Sequence, residues 1–553
     1  MIGMAGKRLR INLSARTWEQ EEIPQNWVLN GVGGTGLALE AFFNKPASTG
    51  QPGIVVAPGL LAGTNAPAGH WSTIVFYDSS QDRIAMSYLG GHWGSSLKLS
   101  GFGLMEIEGQ ASSMTVLVVE NGGIRFLDAR DLEGLSPLDT VRRLEALLGY
   151  GYHIAGIGVA GETGVPFASL VFDGVYQRNT AGLGAAFGRI GVKALAVKGT
   201  GILVPGSPQP FYKEAKKLRD GITHETFPYR ELSSYGSAWF VRELHERAML
   251  PVKNYLTSFF PEAEMLSGES FADSFDHQPI ACYGCPVGCR WTTLRKGSCS
   301  SGPEIEEIIA LGPLCGMSDP ETLLQIKNHC DRIGVDPLAL GGLIASVMEE
   351  TERGMGTFLS FGQGKELLRM FEEDNPKGFL ERLKSLWEGS SSRVGFMSTD
   401  PRADIHLALH RITWPFDEPH LLGSEAFLTR LPVYEGQGKE MGVAKAVVTY
   451  QDFTIGLQCL GFCPWMSLVF TPRDLDPLLK SALGDKFPQE ATSHVGRSVW
   501  RAAHARASIL QSDIPPVSRF GKVAREPIAD GARAGKKLEL TSHWQTYLKL
   551  RNS

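Results

Sequence analysis

The stretch Cys282–Cys289, with the sequence CYGCPVGC, places three cysteines at the spacing C-x2-C-x3-C. Such close spacing lets one loop present three thiolates to a single inorganic core. Gly284 and Gly288 lie between the cysteines and allow the backbone to wrap. We interpret the stretch as a metal site, and an iron-sulfur cluster is favoured over zinc because no second C-x2-C pair follows. The alternative, three buried apolar cysteines, requires a coincidence of spacing.

A four-iron cluster needs a fourth ligand, and spacing alone does not choose it. The remaining cysteines are Cys299, Cys315, Cys330, Cys459 and Cys463. All eight cysteines lie between Cys282 and Cys463, whereas a secreted disulfide framework would more often spread them along the chain. Reduced thiols that bind a metal fit this distribution better.

The composition is that of a globular protein with an ordinary surface. The chain has 553 residues, 43% of them hydrophobic and 20% charged. This length predicts roughly three or four domains. The formal charge of −5 shows no excess of the basic residues that bind the phosphate backbone of nucleic acids, so we expect no nucleic-acid partner. The N-terminus has no apolar core of a signal peptide, and the apolar stretch 455–470 is too short for a membrane span, so we expect a cytoplasmic protein.

The pattern of the chain changes near residue 205. From Ala57 to about Gly199, short apolar runs alternate with glycine-containing turns, which is typical of strands. The clearest runs are 116–119, 154–157 and 194–197. Longer helical periodicities follow, with the strongest at 303–311 and 322–333. We predict an α/β (α+β) protein with a sheet-rich domain at 1–205, a helical domain with the three-cysteine run at 206–399, and a mostly helical domain at 400–553.

Several short motifs, most of which contain glycine, are spread over most of the chain up to about Gly342. They are Gly59–Gly69, Gly90–Gly94, Leu97-Lys98, Gly161-Glu162, Phe167-Ala168, Asp173-Gly174, Gly182–Ala185 and Pro251–Asn254. Together with the cysteine run they resemble the tungsten-containing aldehyde:ferredoxin oxidoreductase family, of which this chain would be a divergent member. The resemblance implies a sheet-rich base domain that binds pterin, closed by two helical domains.

Two segments are similar to the D-x-x-G-L-D/C segments with which the family contacts its two pterins. They are Asp331–Asp336 (DRIGVD) and Gln458–Cys463 (QCLGFC). The second makes Cys463 the implied fourth cluster ligand, beside Cys282, Cys285 and Cys289. The residues implied to contact the cofactor are Asn65, Ala66, Gly69, Gly91, His92, Trp93, Gly94, Gly182, Gly184, Asp331, Asp336, Gln458 and Gly461.

Two residues are implied to be catalytic. Glu306 matches the family's active-site glutamate, and His420 lies at the family's spacing after Asp400-Pro401-Arg402. Glutamate and histidine near a metal-oxo centre suit proton transfer when an aldehyde hydrate becomes a carboxylate. The alternatives are that Glu306 caps or pairs at a helix start and that His420 has a structural or surface role.

The chain also departs from the family pattern. Trp71 and Thr180 stand where arginines hold the pterin phosphate, so backbone N–H groups, Mg²⁺ or Arg178 would hold it instead. Gln458 replaces an aspartate and brings no charge. Gln325 replaces a glutamate that helps to bind a metal between subunits, so that metal is not carried over.

The resemblance implies a [4Fe-4S] cluster and a tungsten, or molybdenum, bis-molybdopterin. The leading hypothesis is that the protein serves an anaerobe by oxidising an aldehyde to a carboxylic acid. The electrons would pass to ferredoxin or another electron-transfer protein. We expect the chain to be part of an oligomer or a subunit of a complex. Cys315 is either a small core residue or an additional ligand to the pterin-bound metal. The ligand role would point to a subunit that reduces aromatic acyl-CoA thioesters. A third possibility is a non-catalytic, cluster-bearing subunit of a larger redox complex.

Overall fold

The structure is a computed structural model. It describes residues 6–44, 53–80, 82–174, 176–177, 182–223, 227–295, 298–356, 358–373, 375–389, 396–414, 422–431, 438–484, 489–507 and 517–552.

Within these residues the strands form two six-stranded sheets and one three-stranded sheet. The strands are β1 Lys7–Asn12, β2 Thr17–Glu22, β3 Ile54–Pro58, β4 Ser72–Asp78, β5 Arg83–Leu89, β6 Phe102–Glu108, β7 Thr115–Glu120, β8 Gly123–Asp128, β9 His153–Ile157, β10 Leu170–Phe172, β11 Tyr176–Gln177, β12 Val192–Lys198, β13 Asp276–Ile280, β14 Arg290–Arg295 and β15 Ser298–Ser301. The apolar runs predicted as strands form β7, β9 and β12, which confirms the sheet-rich N-terminal part.

The two large sheets repeat one topology. Their spatial orders are β2-β1-β6-β3-β4-β5 and β8-β7-β12-β9-β10-β11. In each sheet one central pair is parallel, β1 with β6 and β7 with β12, and the other neighbours are antiparallel. Every strand of the first sheet therefore has its counterpart six strands later in the chain. The base of the molecule consists of two equivalent halves.

The two halves share one apolar core. Phe76 and Met105 of the first sheet lie in the same cluster of buried side chains as Leu117 and Leu195 of the second. The side chains of these strands are buried almost without interruption, as in sheets covered on both faces. The shared core fixes the two halves relative to each other.

Helices dominate the chain after residue 208. The α-helices of the described residues are α1 Gln25–Gly31, α2 Gly34–Phe43, α3 Trp93–Leu99, α4 Pro137–Leu148, α5 Val159–Glu162, α6 Leu183–Arg189, α7 Pro208–Thr223, α8 Phe227–Tyr235, α9 Phe240–Glu246, α10 Gly268–Ser274, α11 Ile305–Leu311, α12 Pro320–Ile333, α13 Pro337–Glu352, α14 Gly364–Glu373, α15 Pro376–Gly389, α16 Ile405–Thr413, α17 Leu422–Thr429, α18 Lys439–Leu460, α19 Pro472–Leu483, α20 Ala491–Ala507 and α21 Thr541–Asn552. The short 3-10 segments are Arg130–Leu132, Gly236–Trp239, Ala263–Leu266, Pro313–Cys315, Pro464–Leu468 and Val517–Ala524.

The helices form one continuous core that also covers the outer face of the first sheet. Val75 and Met86 of that sheet belong to the same cluster as Leu340 of α13 and Leu457 of α18. This cluster also runs across the predicted boundary at residue 400, so the division between the two helical domains stays a prediction. None of the helices in the described ranges combines the length and apolar character that a membrane crossing needs.

Helix α18 packs closely on α20 through glycine. A Cβ on Gly456 would lie 1.9 Å from the carbonyl oxygen of Thr492, and a Cβ on Gly496 would lie 1.8 Å from that of Asp452. Both distances are far inside van der Waals contact, so the two backbones can approach only where no side chain stands between them.

We predict that Gly456→Ala destabilises the protein by at least about 2 kcal/mol, because the added methyl forces the two helices apart. The measurement is the thermal unfolding midpoint of the anaerobically purified protein. Gly389→Ala is the matched control, because no heavy atom lies within 4 Å of the Cβ position of Gly389. Equal midpoints for the two variants would contradict the close-packing account.

Candidate cluster and cofactor site

The three-cysteine run closes a β-hairpin. Strands β13 and β14 are antiparallel, with Ile280 opposite Arg290, so residues 281–289 form the connecting loop. Gly284 and Gly288 have φ values of 66° and 63°, in the left-handed region that favours glycine. These two positions let the loop turn between the cysteines, as the sequence predicted.

Cys463 lies near this loop but belongs to a separate segment of the chain. It follows the end of α18, and its N–H donates to the carbonyl of Ala68 at 2.9 Å. Burial raises the pKa of Cys289 well above its ordinary value, and the nearby thiolates of Cys282, Cys463 and Cys285 raise it further. The structure thus brings together the four thiols that the family resemblance implied.

The remaining described thiols have other neighbours. Burial raises the pKa of Cys330 well above its usual range, and Asp331 and Glu307 add to that effect. Cys459 has a pKa raised to about 12 by burial and receives a hydrogen bond from the N–H of Gly36. Neither thiol belongs to the group around Cys289.

The group of four thiols fits a multi-atom core. In the described part of the chain, no set of three or more His, Cys, Asp and Glu side chains converges tightly enough for a single metal ion. Thiolates that share a [4Fe-4S] cluster are held apart by the iron and sulfide atoms between them, so they need not converge on one point. Cluster binding by these cysteines stays a prediction.

Hydrogen-bond donors surround the cysteine sulfurs. Burial acts to raise the pKa of Cys282, but the neighbouring His70, which also hydrogen-bonds the thiol, together with Arg290 and the N–H of Gly91, lowers it to about 6. Burial and the Cys282 thiolate raise the pKa of Cys285 to about 11, although N–H groups of the loop hydrogen-bond its sulfur. Donors of this kind stabilise thiolates and tune the potential of a bound cluster.

The loop is held in place by contacts from two directions. The N–H of Tyr283 donates to the carbonyl of Gly91 at 3.1 Å, and its hydroxyl donates to the carbonyl of Gly63 at 3.3 Å. A ring nitrogen of His92 lies 3.1 Å from the carbonyl of Ala281. From α7, Arg219 donates to the carbonyl of Gly284 at 3.1 Å. The loop is therefore clamped between the sheet base and α7.

Two junctions join helix ends to the sheet base in the same way. Gly334, with a φ of 78°, caps the C-terminus of α12, and Gly461, with a φ of 96°, caps the C-terminus of α18. One residue further, Val335 forms an isolated β-bridge with Ala168, and Phe462 forms one with Gly69. We call the contact of 59–71 with 458–463 the first junction and that of 158–169 with 331–336 the second junction.

The hydrogen bonds of the junctions also correspond. The N–H of Trp71 donates to the carbonyl of Gly461 at 2.7 Å, and that of Ser169 donates to the carbonyl of Gly334 at 2.8 Å. Asp336 and Cys463 are equivalent as well, because their N–H groups donate to the carbonyls of Phe167 at 3.0 Å and Ala68 at 2.9 Å. One junction thus presents the carboxyl group of Asp336 where the other presents the thiol of Cys463.

The polar side chains of the junctions can bind a pterin ring. Burial raises the pKa of Asp336 to about 7, although the N–H groups of Leu338 and Ala339 act against it. A carboxyl group with such a pKa is present in both protonation states at neutral pH, so it can donate or accept. Gln458 has the same capacity, and its carbonyl oxygen accepts from Thr35 at 3.2 Å. These groups match the mixed donor and acceptor edge of a pterin.

Asp331, the other carboxylate implied to contact the cofactor, is engaged by a lysine. Its Oδ2 lies 2.6 Å from Nζ of the buried Lys327, which also contacts the carbonyl of Ser301 at 3.2 Å. The neighbouring Glu307 has a pKa raised to about 8 by burial. The second junction therefore carries a buried cluster of ionisable side chains.

The other sheet-base residues that the resemblance implies to contact the cofactor lie in different environments. No heavy atom lies within 4 Å of the Cβ position of Gly91, so its backbone faces open space beside the cysteine loop. Asn65 is exposed and Ala66 is buried at the turn of the first junction. Gly91 is itself buried, so among these three positions only Asn65 reaches the surface.

Other residues of this group have packing roles. A Cβ on Gly94 would lie 2.0 Å from Oγ of Ser72, and Gly182 and Gly184 approach the carbonyls of Pro166 and Ser169 as closely. The Trp93 side chain lies in the core between the sheets and donates to the carbonyl of Leu195 at 3.1 Å. Only the backbone of Trp93 is left for a cofactor, and pterin contact by these residues stays a prediction.

The candidate catalytic residues are only partly described. Glu306 is buried, at 4% exposure, in the first turn of α11. His420 lies outside the described residues, as do Thr180 and Arg178. Asp400 and Arg402, which precede His420 in the sequence, form a buried ion pair at 2.6 Å.

Cys315 lies in the helical core. Its thiol donates to the carbonyls of Ala310 at 3.3 Å and Gly341 at 3.4 Å, and burial raises its pKa far above the usual range. A metal ligand must be a thiolate, so this environment favours the small core residue over the additional ligand.

The side chains that replace the family's charged residues, Trp71 and Gln325, make other contacts. Trp71 is buried and stacks on Tyr88, with ring centroids 6.0 Å apart. Gln325 donates its amide to Glu321 on the same helix at 2.5 Å.

Sequence reasoning assigned no role to three contributors. The glycine-rich run 31–36 packs on the first junction, where a Cβ on Gly34 would lie 2.1 Å from the carbonyl of Gln458. Lys98 is buried, donates to the carbonyl of Gly59 at 2.9 Å, and has a pKa lowered to about 7 by burial. His70 hydrogen-bonds Cys282. The glycine run was visible in the sequence, and Lys98 was part of a family motif without an assigned role, whereas nothing in the sequence indicated the role of the histidine.

Two family models match the chain. Residues 8–199 match the model described as aldehyde ferredoxin oxidoreductase, N-terminal domain. Residues 213–374 match the model described as aldehyde ferredoxin oxidoreductase, domains 2 & 3. Together these models cover well over half of the chain.

Similar proteins come from archaea. The chain is 27% identical over 603 residues to the tungsten-containing aldehyde ferredoxin oxidoreductase of Pyrococcus furiosus and 26% identical over 597 residues to that of Thermococcus kodakarensis. Each alignment covers 100% of this chain and 96% of the relative. A match of 25% identity to the aliphatic sulfonate oxidoreductase, WOR-like subunit, of P. furiosus covers 67% of this chain and 64% of that protein.

A solved structure shares the fold. It is the active site complex BamBC of benzoyl coenzyme A reductase in complex with 1,5 dienoyl-CoA. The TM-score is 0.76 at 17% identity, and the match covers 100% of this chain and 95% of the other. The likeness shows that the mixed α/β architecture is the one found in that complex.

We predict that Cys463→Ala lowers the iron and acid-labile sulfide content of the anaerobically purified protein from about four per chain to three or fewer, because one of four thiolates is lost. Cys459→Ala is the matched control, since this buried thiol lies on the same segment but among other neighbours. Full iron content in the Cys463 variant, or equal loss in both, would contradict the ligand assignment.

Proposed function

The chain belongs to the aldehyde ferredoxin oxidoreductase family and is an oxidoreductase of that type, and we propose that it oxidises an aldehyde to a carboxylic acid with a tungsten or molybdenum bis-pterin. Electrons would leave through a [4Fe-4S] cluster to ferredoxin. The observation that carries the proposal is the pair of equivalent junctions, one of which ends in the thiol that completes a group of four.

The residues of the junctions fit the cofactor. Asp336 and Gln458 would hydrogen-bond the two pterins, and the open backbone at Gly91 would lie beside one of them. The metal-pterin group supplies the two-electron redox chemistry when it is bound. Cys282, Cys285, Cys289 and Cys463 would hold the cluster. Because Cys463 belongs to the first junction itself, the electron path from pterin to cluster would be short.

Glu306 would act in proton transfer. Conversion of an aldehyde and water into a carboxylate releases two electrons and three protons, and a base near the reacting carbon must take one of these protons from the attacking water. The Glu306 carboxyl is buried in the first turn of α11, so bulk water does not compete for its proton. His420 is the second candidate for this role, by the family resemblance.

The acyl-CoA alternative has support from the shared fold alone. The benzoyl coenzyme A reductase complex has the same architecture. The buried, hydrogen-bonded thiol of Cys315 does not favour an additional thiolate ligand in this chain. Aldehyde oxidation is therefore the function that the described residues support better.

We predict that Glu306→Gln lowers the rate of aldehyde-dependent viologen reduction by about 10²- to 10⁴-fold, the usual contribution of a general acid or base. Tungsten or molybdenum, pterin and iron contents should stay at the wild-type level, since the carboxyl moves a proton and binds no metal. The assay screens aliphatic and aromatic aldehydes, with benzoyl-CoA and its dienoyl product as the competing substrates.

Glu19→Gln is the control, because this carboxyl is exposed on β2 and belongs to neither junction. Its rate should stay within tenfold of the wild type. A fully active Glu306 variant would remove that residue from the mechanism. Turnover of thioesters with no turnover of any aldehyde would overturn the proposed substrate class.

A further inference from the structure

The segment 202–219 exposes an unusual amount of apolar surface. Ile202, Val204 and Tyr212 are 86%, 66% and 45% exposed, and all three lie within eleven residues. Singly exposed apolar side chains are normal, but a group of them rimmed by polar residues marks an interaction site. We call this surface, made by residues 202–206 and the exposed side of α7, the 202–219 face.

The 202–219 face lies next to the cysteine loop at both of its ends. The Cβ position of Gly63 lies 3.2 Å from Cδ1 of Leu203, and the carbonyl of Gly63 accepts from the Tyr283 hydroxyl. At the other end, Arg219 donates to the carbonyl of Gly284, between the first two cysteines. A protein bound here would touch the loop that carries three of the four thiols.

The cysteine loop itself reaches the surface. Ala281 is exposed, and Tyr283, Gly284 and Pro286 are partly exposed. An electron acceptor docked beside the loop would therefore approach the cluster across few atoms. Electron transfer slows steeply with distance, so the face nearest the loop is the natural exit.

The 202–219 face is basic although the whole chain is acidic. Lys213, Lys216 and Lys217 are exposed on α7, and Arg219 adds a fourth positive charge. Two acids accompany them, since Lys216 pairs with Asp220 at 2.6 Å and Lys217 lies 4.0 Å from Glu214. The helix therefore keeps a positive excess in a chain with a formal charge of −5. An acidic partner would be steered to this face.

We propose that the 202–219 face docks a small acidic iron-sulfur electron-carrier protein, which takes its electrons from the cluster held by the cysteine loop. The inference rests on the proposed function for the direction of electron flow. An apolar centre with a charged rim is the anatomy of a transient interface, in which charges set the association rate and apolar contacts add affinity. Ile202, Val204 and Tyr212 form the centre, and the lysines of α7 form the rim.

The experiment compares a protein acceptor with a small one. The triple variant Lys213→Glu, Lys216→Glu, Lys217→Glu should lower kcat/KM for a purified acidic [4Fe-4S] ferredoxin by at least about tenfold at low ionic strength. The rate with benzyl viologen, which needs no docking face, should stay within twofold. Added salt should lower the wild-type kcat/KM for ferredoxin and should not lower that of the variant, because screening acts on the attraction that the variant has lost.

The matched control is Lys365→Glu, Lys377→Glu, Lys549→Glu, which changes the net charge equally on α14, α15 and α21. Its kcat/KM for ferredoxin should stay within threefold of the wild type. Ile202→Ser tests the apolar centre without a change in charge and should raise KM for ferredoxin alone. Equal losses in both triple variants, or none in the first, would overturn the proposal.

A binding measurement separates this inference from the proposed function. Calorimetric titration of the holoprotein with ferredoxin needs no substrate, so it remains informative if no aldehyde is oxidised. Salt-sensitive binding that the first triple variant loses would support docking at the 202–219 face. A wild-type oligomer that the same variant converts into monomers would overturn it, because a second copy would then cover the face.

Discussion

Two short backbone bridges hold the molecule together where its chemistry would take place. Phe462 pairs with Gly69 and Val335 pairs with Ala168, each directly after a helix that ends at a left-handed glycine. A backbone bridge fixes the register of a segment, so a slip of one residue would turn the next side chain away. The positions of Cys463 and Asp336 both follow from this constraint. Gly334 and Gly461 end the two helices at the positions that allow these bridges to form.

The duplication of the sheet base explains why there are two such bridges. Each six-stranded sheet ends a central strand at the turn that receives a helix end, so two equivalent sites arise from one topology. At the two bridges, the side chains at equivalent positions differ. Cys463 completes the thiol group at one bridge, whereas Asp336 presents a carboxyl group with a raised pKa at the other. Under the proposed function, a symmetric base with one asymmetric thiol would provide two cofactor positions and a single electron exit.

Much of this arrangement could be predicted from the sequence. The apolar runs gave β7, β9 and β12, and the C-x2-C-x3-C spacing indicated a loop that gathers thiols. The choice of Cys463 needed the family resemblance, because no local pattern links two segments so far apart in the chain. The repeat of the sheets was hidden, since strand pairing preserves topology without preserving sequence. The roles of His70 and Lys98 could not be read either, because they depend on contacts that form only in the fold.

The central claim is that this base holds a pterin-bound metal beside a four-iron cluster. The most direct measurement is the tungsten, molybdenum, iron and pterin content per chain of anaerobically purified protein. The account predicts about one tungsten or molybdenum, two pterins and four irons. Four irons without pterin and without either metal would contradict it, since the two junctions would then bind no cofactor and the chain would only carry electrons.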